Sequence, residues 1–124
     1  LTNWTNIAVG KDGSCLAVNA SGQLYSWGEN PNGLLGQNDV INRSSPVQVG
    51  SLNTWSKVEG GYCRAFLAIK TDGTLWAWGN NSSGQIGQND VNLGYSSPVQ
   101  VGAETDWLEA SPGRFSSYGI RGVL

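Results

Sequence analysis

Histidine and methionine are absent from this sequence of 124 residues, and charged residues make up only 13% of it. Without histidine there is no Ser-His-Asp triad and no histidine-activated cysteine. The only cysteines are Cys15 and Cys63, and two thiols without histidine do not make a zinc site. The sequence therefore predicts no catalytic residues, no metal and no cofactor, and the chain is not expected to be an enzyme.

The chain also has little charge of either sign and no long apolar run. Its formal net charge is −2, whereas surfaces that follow a phosphate backbone are basic. No apolar stretch approaches the roughly 18 residues that a membrane span needs. We therefore expect neither a nucleic-acid partner nor insertion into a membrane. The two cysteines are expected to be small buried residues, with a disulfide between them as the alternative.

The sequence does contain an internal repeat. The segment Gly22–Gly28 returns as Gly73–Gly79, which begins 51 residues later. Trp4, Trp55 and Trp107 lie at matching places and are 51 and 52 residues apart. Such a repeat indicates structural units that follow one another within one domain. The domain comprises residues 1–124, with units at about 4–54, 55–106 and a truncated 107–124.

A period near 50 residues fits a β-propeller blade of four antiparallel strands. Asp72 and Gly73 form a hairpin signal between two apolar runs of the second unit. No window carries the apolar stripe of an amphipathic helix. The predicted fold class is therefore all-β, with about 2.4 propeller blades. The expected strands of the second unit are Lys57–Gly60, Ala65–Lys70, Thr74–Gly79 and Pro98–Val101.

The alternation of large and small residues favours face-to-face packing of the blades. Successive side chains of a strand point to opposite faces, so Trp76 and Trp78 share one face while Ala77 lies on the other. Large rings of one blade then fill the gaps beside small residues of the next. Trp27 is the equivalent of Trp78 and is expected to behave alike. The predicted structural core of the repeat comprises Leu24, Trp27, Gly28, Leu67, Ile69, Leu75, Trp78 and Gly79.

Two carboxylates also recur at one repeat position. Asp39 and Asp90 are 51 residues apart and follow Gln-Asn in both units. A residue that recurs in this way usually serves the repeat, and Asp is a common turn former. Both are therefore predicted to form turns rather than to bind a metal.

The run from Leu75 to Gln88 resembles the repeat of the regulator of chromosome condensation family, with its Leu-aromatic-x-Trp-Gly start and its Gly-x-x-Gly-Gln end. The resemblance covers essentially the whole chain and implies a seven-bladed ring in complete members, of which this chain supplies about 2.4 blades. Because of its low charge, close self-similarity and Asn-rich loops, the chain resembles bacterial and phage copies of the repeat more than it resembles the eukaryotic exchange factor of the family. Arg64 stands where family repeats often have histidine.

Plain repeats without catalytic groups favour a structural or protein-interaction module within a larger assembly, such as a viral particle or a cell-surface appendage. The expected location is then a virion or an extracellular surface. One alternative is a carbohydrate- or receptor-binding module on such an appendage, because Tyr supplies rigid contact area and Asn supplies adaptable hydrogen bonds. The candidate binding surface comprises Tyr62, Arg64 and Tyr95, together with the Asn-rich loops.

The family resemblance implies a second alternative, a guanine nucleotide exchange factor for a small GTPase. No functional residue of such a factor is carried over, because this chain shows only plain repeats.

The exposed blade faces at the two ends of the array indicate what kind of partner the chain has. An array of about 2.4 blades has an apolar blade face and unpaired strand edges at its ends, which promote association. Further blades of the same polypeptide, or other protein chains, are therefore expected to cover both ends. A glycan or a receptor is the alternative partner.

Overall fold

The computed structural model of the protein describes residues 3–60, 64–90, 92–112 and 117–122. The first four strands form an antiparallel sheet in sequence order, which we call blade 1. A single turn of 3-10 helix, Pro31–Gly33, follows the third strand and is the only helical segment in the described ranges. The strands of blade 1 are β1 Trp4–Val9, β2 Ser14–Asn19, β3 Leu24–Gly28 and β4 Arg43–Gln48.

Blade 2 repeats this arrangement, and all four strands expected from the sequence are present. The second strand has the predicted bounds. The fourth strand begins at Gly94 rather than at Pro98, because its pairing with the third strand continues past a bulge to Tyr95 and Gly94. The strands of blade 2 are β5 Trp55–Glu59, β6 Ala65–Lys70, β7 Leu75–Asn80 and β8 Gly94–Gln100.

The third unit forms a two-stranded sheet within the described residues. Strands β9 (Trp107–Pro112) and β10 (Ser117–Arg121) pair antiparallel. Arg121 lies opposite Trp107 just as Lys70 lies opposite Trp55 in blade 2. The all-β fold of four-stranded propeller blades predicted from the repeat is thereby confirmed. None of the described residues forms a helix long and apolar enough to cross a membrane.

Blades 1 and 2 interlock through one hydrophobic cluster. Large residues of blade 2, including Trp55, Phe66 and Trp78, pack in it together with aliphatic residues of blade 1. The indole Nε1 of Trp78 also donates a hydrogen bond across the boundary to the carbonyl oxygen of Leu34, at 2.8 Å. The aliphatic members from blade 1 are Ala8, Leu16, Val18, Leu24, Leu34 and Val49.

The predicted core residues differ in burial according to the side of the blade they face. Leu24, Leu67, Ile69, Leu75 and Trp78 are at most 5% exposed. Trp27 is only half-buried, because it lies on the face of blade 1 that points away from blade 2. The burial of Trp27 therefore differs from that of Trp78, so a smaller effect of its substitution is now expected than the equivalence of the two residues implied.

The two predicted core glycines lie in the last two residues of the third strand of each blade. Gly28 and Gly79 have φ angles of 99° and 107°, a conformation that favours glycine. A Cβ atom on Gly79 would lie 2.6 Å from the carbonyl oxygen of Arg64. A larger residue at this position would therefore disturb the junction of β6 and β7.

The first strands of successive units are also bonded to one another. The side-chain Oδ1 of Asn6 accepts a hydrogen bond from the backbone N–H of Val58, at 2.7 Å. Lys57, the repeat equivalent of Asn6, forms an ion pair with Glu109 at 2.8 Å and donates to the carbonyl oxygen of Leu108 at 3.0 Å. The same repeat position therefore connects each unit to the next.

Candidate protein-binding groove between the blades

An open groove with a volume of about 410 Å³ runs along the junction of blades 1 and 2. Blade 1 contributes residues 36–38 and the segment after β4, including Leu52. Blade 2 contributes Trp55, Trp76 and Pro98 as apolar walls, with Lys70 between them. We refer to this feature as the inter-blade groove.

Strand pairing places Lys70 in the groove. Lys70 is the last residue of β6 and lies opposite Trp55 in the β5–β6 ladder, before the Asp72-Gly73 hairpin turn. Trp76 follows on β7 and its indole N–H donates to the hydroxyl of Thr74 at 2.8 Å, which fixes the ring. The Lys70 ammonium nitrogen lies 3.8 Å from the centroid of the Trp76 ring and 4.9 Å from that of Trp55.

The Lys70 ammonium has aromatic neighbours but no paired acceptor. The residue is only 9% exposed, and within the described ranges no carboxylate or other acceptor bonds its Nζ. Asp72 is close enough to raise the pKa of Lys70, but burial lowers that pKa more, so it lies below its ordinary value. The carboxylate of Asp72 instead accepts hydrogen bonds from the N–H and hydroxyl of Thr74, at 3.0 and 2.6 Å.

Three tryptophan rings form the rigid wall behind this lysine. Trp55 stands at 75° to Trp76 and at 66° to Trp78, with centroids 6.2 and 6.1 Å apart. Such edge-to-face contacts are favourable beyond the burial of area. The indole Nε1 of Trp55 is buried and has no hydrogen-bond partner among the described residues. The arrangement can hold an apolar group against the rings and an acceptor against Lys70.

The surface predicted from the sequence lies elsewhere, at one rim of blade 2. Tyr62 lies outside the described residues. Arg64 and Tyr95 lie on either side of β7 near its C-terminal end. The backbone carbonyl oxygen of Arg64 accepts a hydrogen bond from the N–H of Asn80, and Tyr95 pairs with Gly79 in the β7–β8 ladder. Neither residue lines the inter-blade groove.

Both described residues of that rim hold parts of the fold together. The Arg64 side chain forms an ion pair with Asp12 of blade 1 at 3.0 Å. The hydroxyl of Tyr95 donates to the carboxylate of Asp90 and accepts from Asn92 at 3.1 Å. The bond to Asp90 raises the pKa of Tyr95 and lowers that of Asp90. These side chains bridge loops, and their binding role stays a prediction.

The recurring asparagines of the Asn-rich loops also serve the fold. Asn30 is buried, its amide donates to the carbonyl oxygens of Asp39 and Ile41 at 3.1 and 3.0 Å, and its Oδ1 accepts from the N–H of Leu35. Asn81 makes the matching bonds in blade 2 and is also buried. These two asparagines organise the loops from within and are not available to a ligand.

The turn role predicted for Asp39 and Asp90 is confirmed by their hydrogen bonds. Asp39 accepts from the N–H of Ile41 at 3.1 Å and pairs with Arg43 at 2.8 Å, which lowers the pKa of the carboxyl. Asp90 accepts from Asn92 in the same way. No group of three potential metal-binding side chains occurs in the part of the chain that the structure describes. Cys15 is a free thiol, and Cys63 lies outside the described residues.

The inter-blade groove was not predicted from the sequence. Its lining comes from two units, and the sequence alone does not say which faces of those units meet. The one available signal is Lys70 itself, a charged residue that ends an otherwise apolar strand.

Comparison with known proteins identifies the family. The model for the regulator of chromosome condensation (RCC1) repeat matches residues 21–63 and 72–118, and a second model of the same description matches residues 55–85. The chain belongs to the RCC1 repeat family. The two long family matches start near the turns before β3 and β7, respectively. Each match extends beyond the first strand of the next unit. An RCC1 sequence repeat therefore includes parts of two neighbouring blades.

The RCC1 relatives are much longer than this chain. The ultraviolet-B receptor UVR8 of Arabidopsis thaliana is 38% identical over 88 residues, which are 69% of this chain and 20% of UVR8. The human probable E3 ubiquitin-protein ligase HERC3 is 37% identical over 79 residues, 61% of this chain and 7% of HERC3. The crystal structure of Prp20p from Saccharomyces cerevisiae has the same fold, with a TM-score of 0.80 and 20% identity over 98% of this chain and 32% of Prp20p.

Proposed function

We propose that this chain is a non-catalytic protein-interaction module of RCC1 blades that works within a larger assembly. The observation that carries the proposal is the inter-blade groove, which Trp76, Leu52 and Pro98 line together with a single lysine that has no acceptor among the described residues. Aromatic and aliphatic side chains around one polar group are typical of the centres of protein-binding surfaces. Two interlocked blades hold these side chains in place, which limits the entropy lost on binding.

A structural relative supports proteins as the class of partner. Prp20p has binding properties to Gsp1p and histones, both of which are proteins. This describes Prp20p, and the present chain spans 32% of it. We extend only the partner class to this chain.

The outward face of blade 1 supports a second kind of protein contact. Ile7 and Val9 on this face are each 59% exposed, and Trp27 is half-buried. The repeat equivalents of Ile7 and Trp27 are Val58 and Trp78, which are buried against blade 1. The outward face therefore has the chemistry of a blade interface, and we propose that another blade covers it, from the same polypeptide or another chain. A viral particle or cell-surface appendage as the setting stays a prediction.

Three parallel assays on the tagged 124-residue chain test the proposal. The chain is offered to a phage-displayed random-peptide library and to a glycan array, and it is added to a small GTPase loaded with labelled GDP. We expect enrichment of peptides that bind saturably, no glycan binding above background and no faster GDP release. A heat-unfolded sample of the chain is the control for selective binding.

Two results would contradict the proposal. Faster GDP release would make the chain an exchange factor. Glycan binding without peptide binding would make it a carbohydrate-binding module.

A further inference from the structure

We propose that Lys70 is the recognition point for a carboxylate within an otherwise apolar segment of a partner protein, which binds in the inter-blade groove. This inference rests on the proposed function and specifies the chemistry of the partner. The carboxylate would bind the Lys70 ammonium, and apolar neighbours in the segment would contact Trp76, Leu52 and Pro98.

The first observation is that the described part of the chain offers no acceptor to the Lys70 ammonium. An ammonium group has three hydrogen-bond donors, and contact with the Trp55 and Trp76 rings uses none of them as a conventional hydrogen bond. The Nζ atom is not among the fully buried polar atoms that lack a partner, so it is open to the groove. An incoming carboxylate would replace water at this nitrogen with a charge-assisted hydrogen bond, beside the apolar walls of the groove.

The second observation comes from the same repeat position in the other units. In blade 1 the position is Asn19, whose amide donates to Gln23 at 2.8 Å and whose Oδ1 accepts from the N–H of Gln23 at 3.0 Å. In the third unit it is Arg121, whose Cζ lies 5.9 Å from the centroid of Trp107. Arg121 bonds Asp106 at 2.7 Å and lies 4.0 Å from Glu104. Both equivalents therefore have polar partners within the chain.

Blade 2 has a cation and a tryptophan at the same repeat positions as the third unit, but it has no acidic residue at the two positions that bind Arg121. The repeat equivalents of Asp106 and Glu104 are Thr54 and Leu52, 52 residues earlier. Leu52 is 48% exposed and lines the groove. The place that a carboxylate fills in the third unit is therefore left for a partner in blade 2, and an apolar side chain stands beside it.

The charge of the groove restricts the partner further. Among the described residues, Lys70 is the only cation that lines it, and its other polar side chains are Gln37, Asn38 and Ser97, which are neutral. One cation in an acidic chain suits a single carboxylate and does not suit a polyanion such as nucleic acid. The apolar walls favour hydrophobic residues on either side of that carboxylate.

The test uses the peptides selected by the phage library, synthesised with a fluorophore and titrated against the 124-residue chain by anisotropy. Lys70→Met removes the ammonium. Thr54→Asp leaves Lys70 intact and supplies an internal carboxylate at the repeat position that Asp106 occupies in the third unit. Lys11→Met is the matched control, because it removes the same charge from an exposed turn outside the groove. Thermal melting checks that all variants fold.

We expect the selected peptides to carry Asp or Glu among apolar residues. Lys70→Met and Thr54→Asp should each weaken binding at least about tenfold, the loss typical of a bond to a charged group. Lys11→Met should bind as the parent does.

The possible failures separate the inference from the proposed function. If peptides bind the parent and both groove variants equally, proteins bind elsewhere and only the groove inference is overturned. Selected peptides without acidic residues would overturn it as well, as would binding of an acidic glycan that depends on Lys70. If the parent selects no peptide, both proposals fail.

Discussion

Trp78 shows how a single side chain joins two blades. Its ring is fully buried and lies against Phe66, with centroids 6.2 Å apart. Its indole N–H donates to the carbonyl oxygen of Leu34 in blade 1. Removing the ring would create a cavity and leave that buried carbonyl without its donor, and both effects destabilise.

Trp78→Ala is therefore expected to lower the free energy of unfolding by roughly 3–5 kcal/mol. Trp27→Ala is the matched control, since it removes the same ring from the same repeat position where the ring is only half-buried. Its loss of stability should be clearly smaller. Urea unfolding followed by circular dichroism measures both, and equal losses would contradict the placement of Trp27 on the open face.

Strand alternation made the burial of Trp78 predictable from the sequence, because it assigns the ring to the large-residue face of its blade. The lower burial of Trp27 was not predictable, since it depends on which side of blade 1 has a neighbour. The same holds for Lys70, whose enclosure requires two stacked blades. The Asn-rich loops were seen in the sequence, but a surface asparagine and a buried one such as Asn30 look alike there.

Asn30→Ala tests the structural role of the loop asparagines. The substitution removes the acceptor of the buried N–H of Leu35 and the amide that donates to the carbonyl oxygens of Asp39 and Ile41, of which the latter keeps a bond from Arg43. We expect a loss of roughly 1–3 kcal/mol, because the buried N–H of Leu35 is left unsatisfied. Asn53→Ala, at an exposed position, should change stability little. Thermal melting compares the two, and equal stability would argue that the loop is organised by other contacts.

At the scale of elements, the hairpin turns link each unit to the next. The carbonyl oxygen of Gly22 accepts a hydrogen bond from the N–H of Trp55 at 3.0 Å, and that of Gly73 accepts from Trp107 at 3.1 Å. A Cβ atom on Gly73 would lie 1.9 Å from the carbonyl oxygen of Thr105. The turn therefore requires glycine both for its φ angle of 81° and for the close approach of the next unit.

Gly73→Ala and Gly50→Ala separate these two requirements. Gly50 has a φ angle of 66°, but a Cβ atom there would meet no described atom within 4 Å, so alanine should cost only about 1–2 kcal/mol of backbone strain. Gly73→Ala should cost more, because the chain at Thr105 must also move. Chemical denaturation measures both, and a smaller loss for Gly73→Ala would contradict the tight junction.

The strands were predictable to the extent that turn residues mark their ends. β6 lies between turn signals on both sides, and its bounds were predicted correctly. β8 starts earlier than its sequence indicates, because β7 continues beyond a bulge and offers pairing partners to Tyr95 and Gly94. Bounds set by a neighbouring strand are not visible in local sequence.

At the scale of the whole molecule, the two faces of a blade carry different residues, so the blades stack in one order only. Blade 2 presents aromatic residues to blade 1 and aliphatic residues to β9. Blade 2 is packed on both faces, against blade 1 and against β9. Blade 1 presents Ile7, Val9 and Trp27 on a face that no other described unit covers, and apolar faces of this kind promote association.

Light scattering on the purified 124-residue chain tests most directly whether its blades work by protein contact. The parent is expected to associate as its concentration rises, and the double variant Ile7→Lys, Val9→Lys should associate less, because it places charges on the outward face of blade 1. Circular dichroism confirms that the variant is folded. A parent chain that stays a folded monomer at every concentration would contradict the proposal that this face binds another blade.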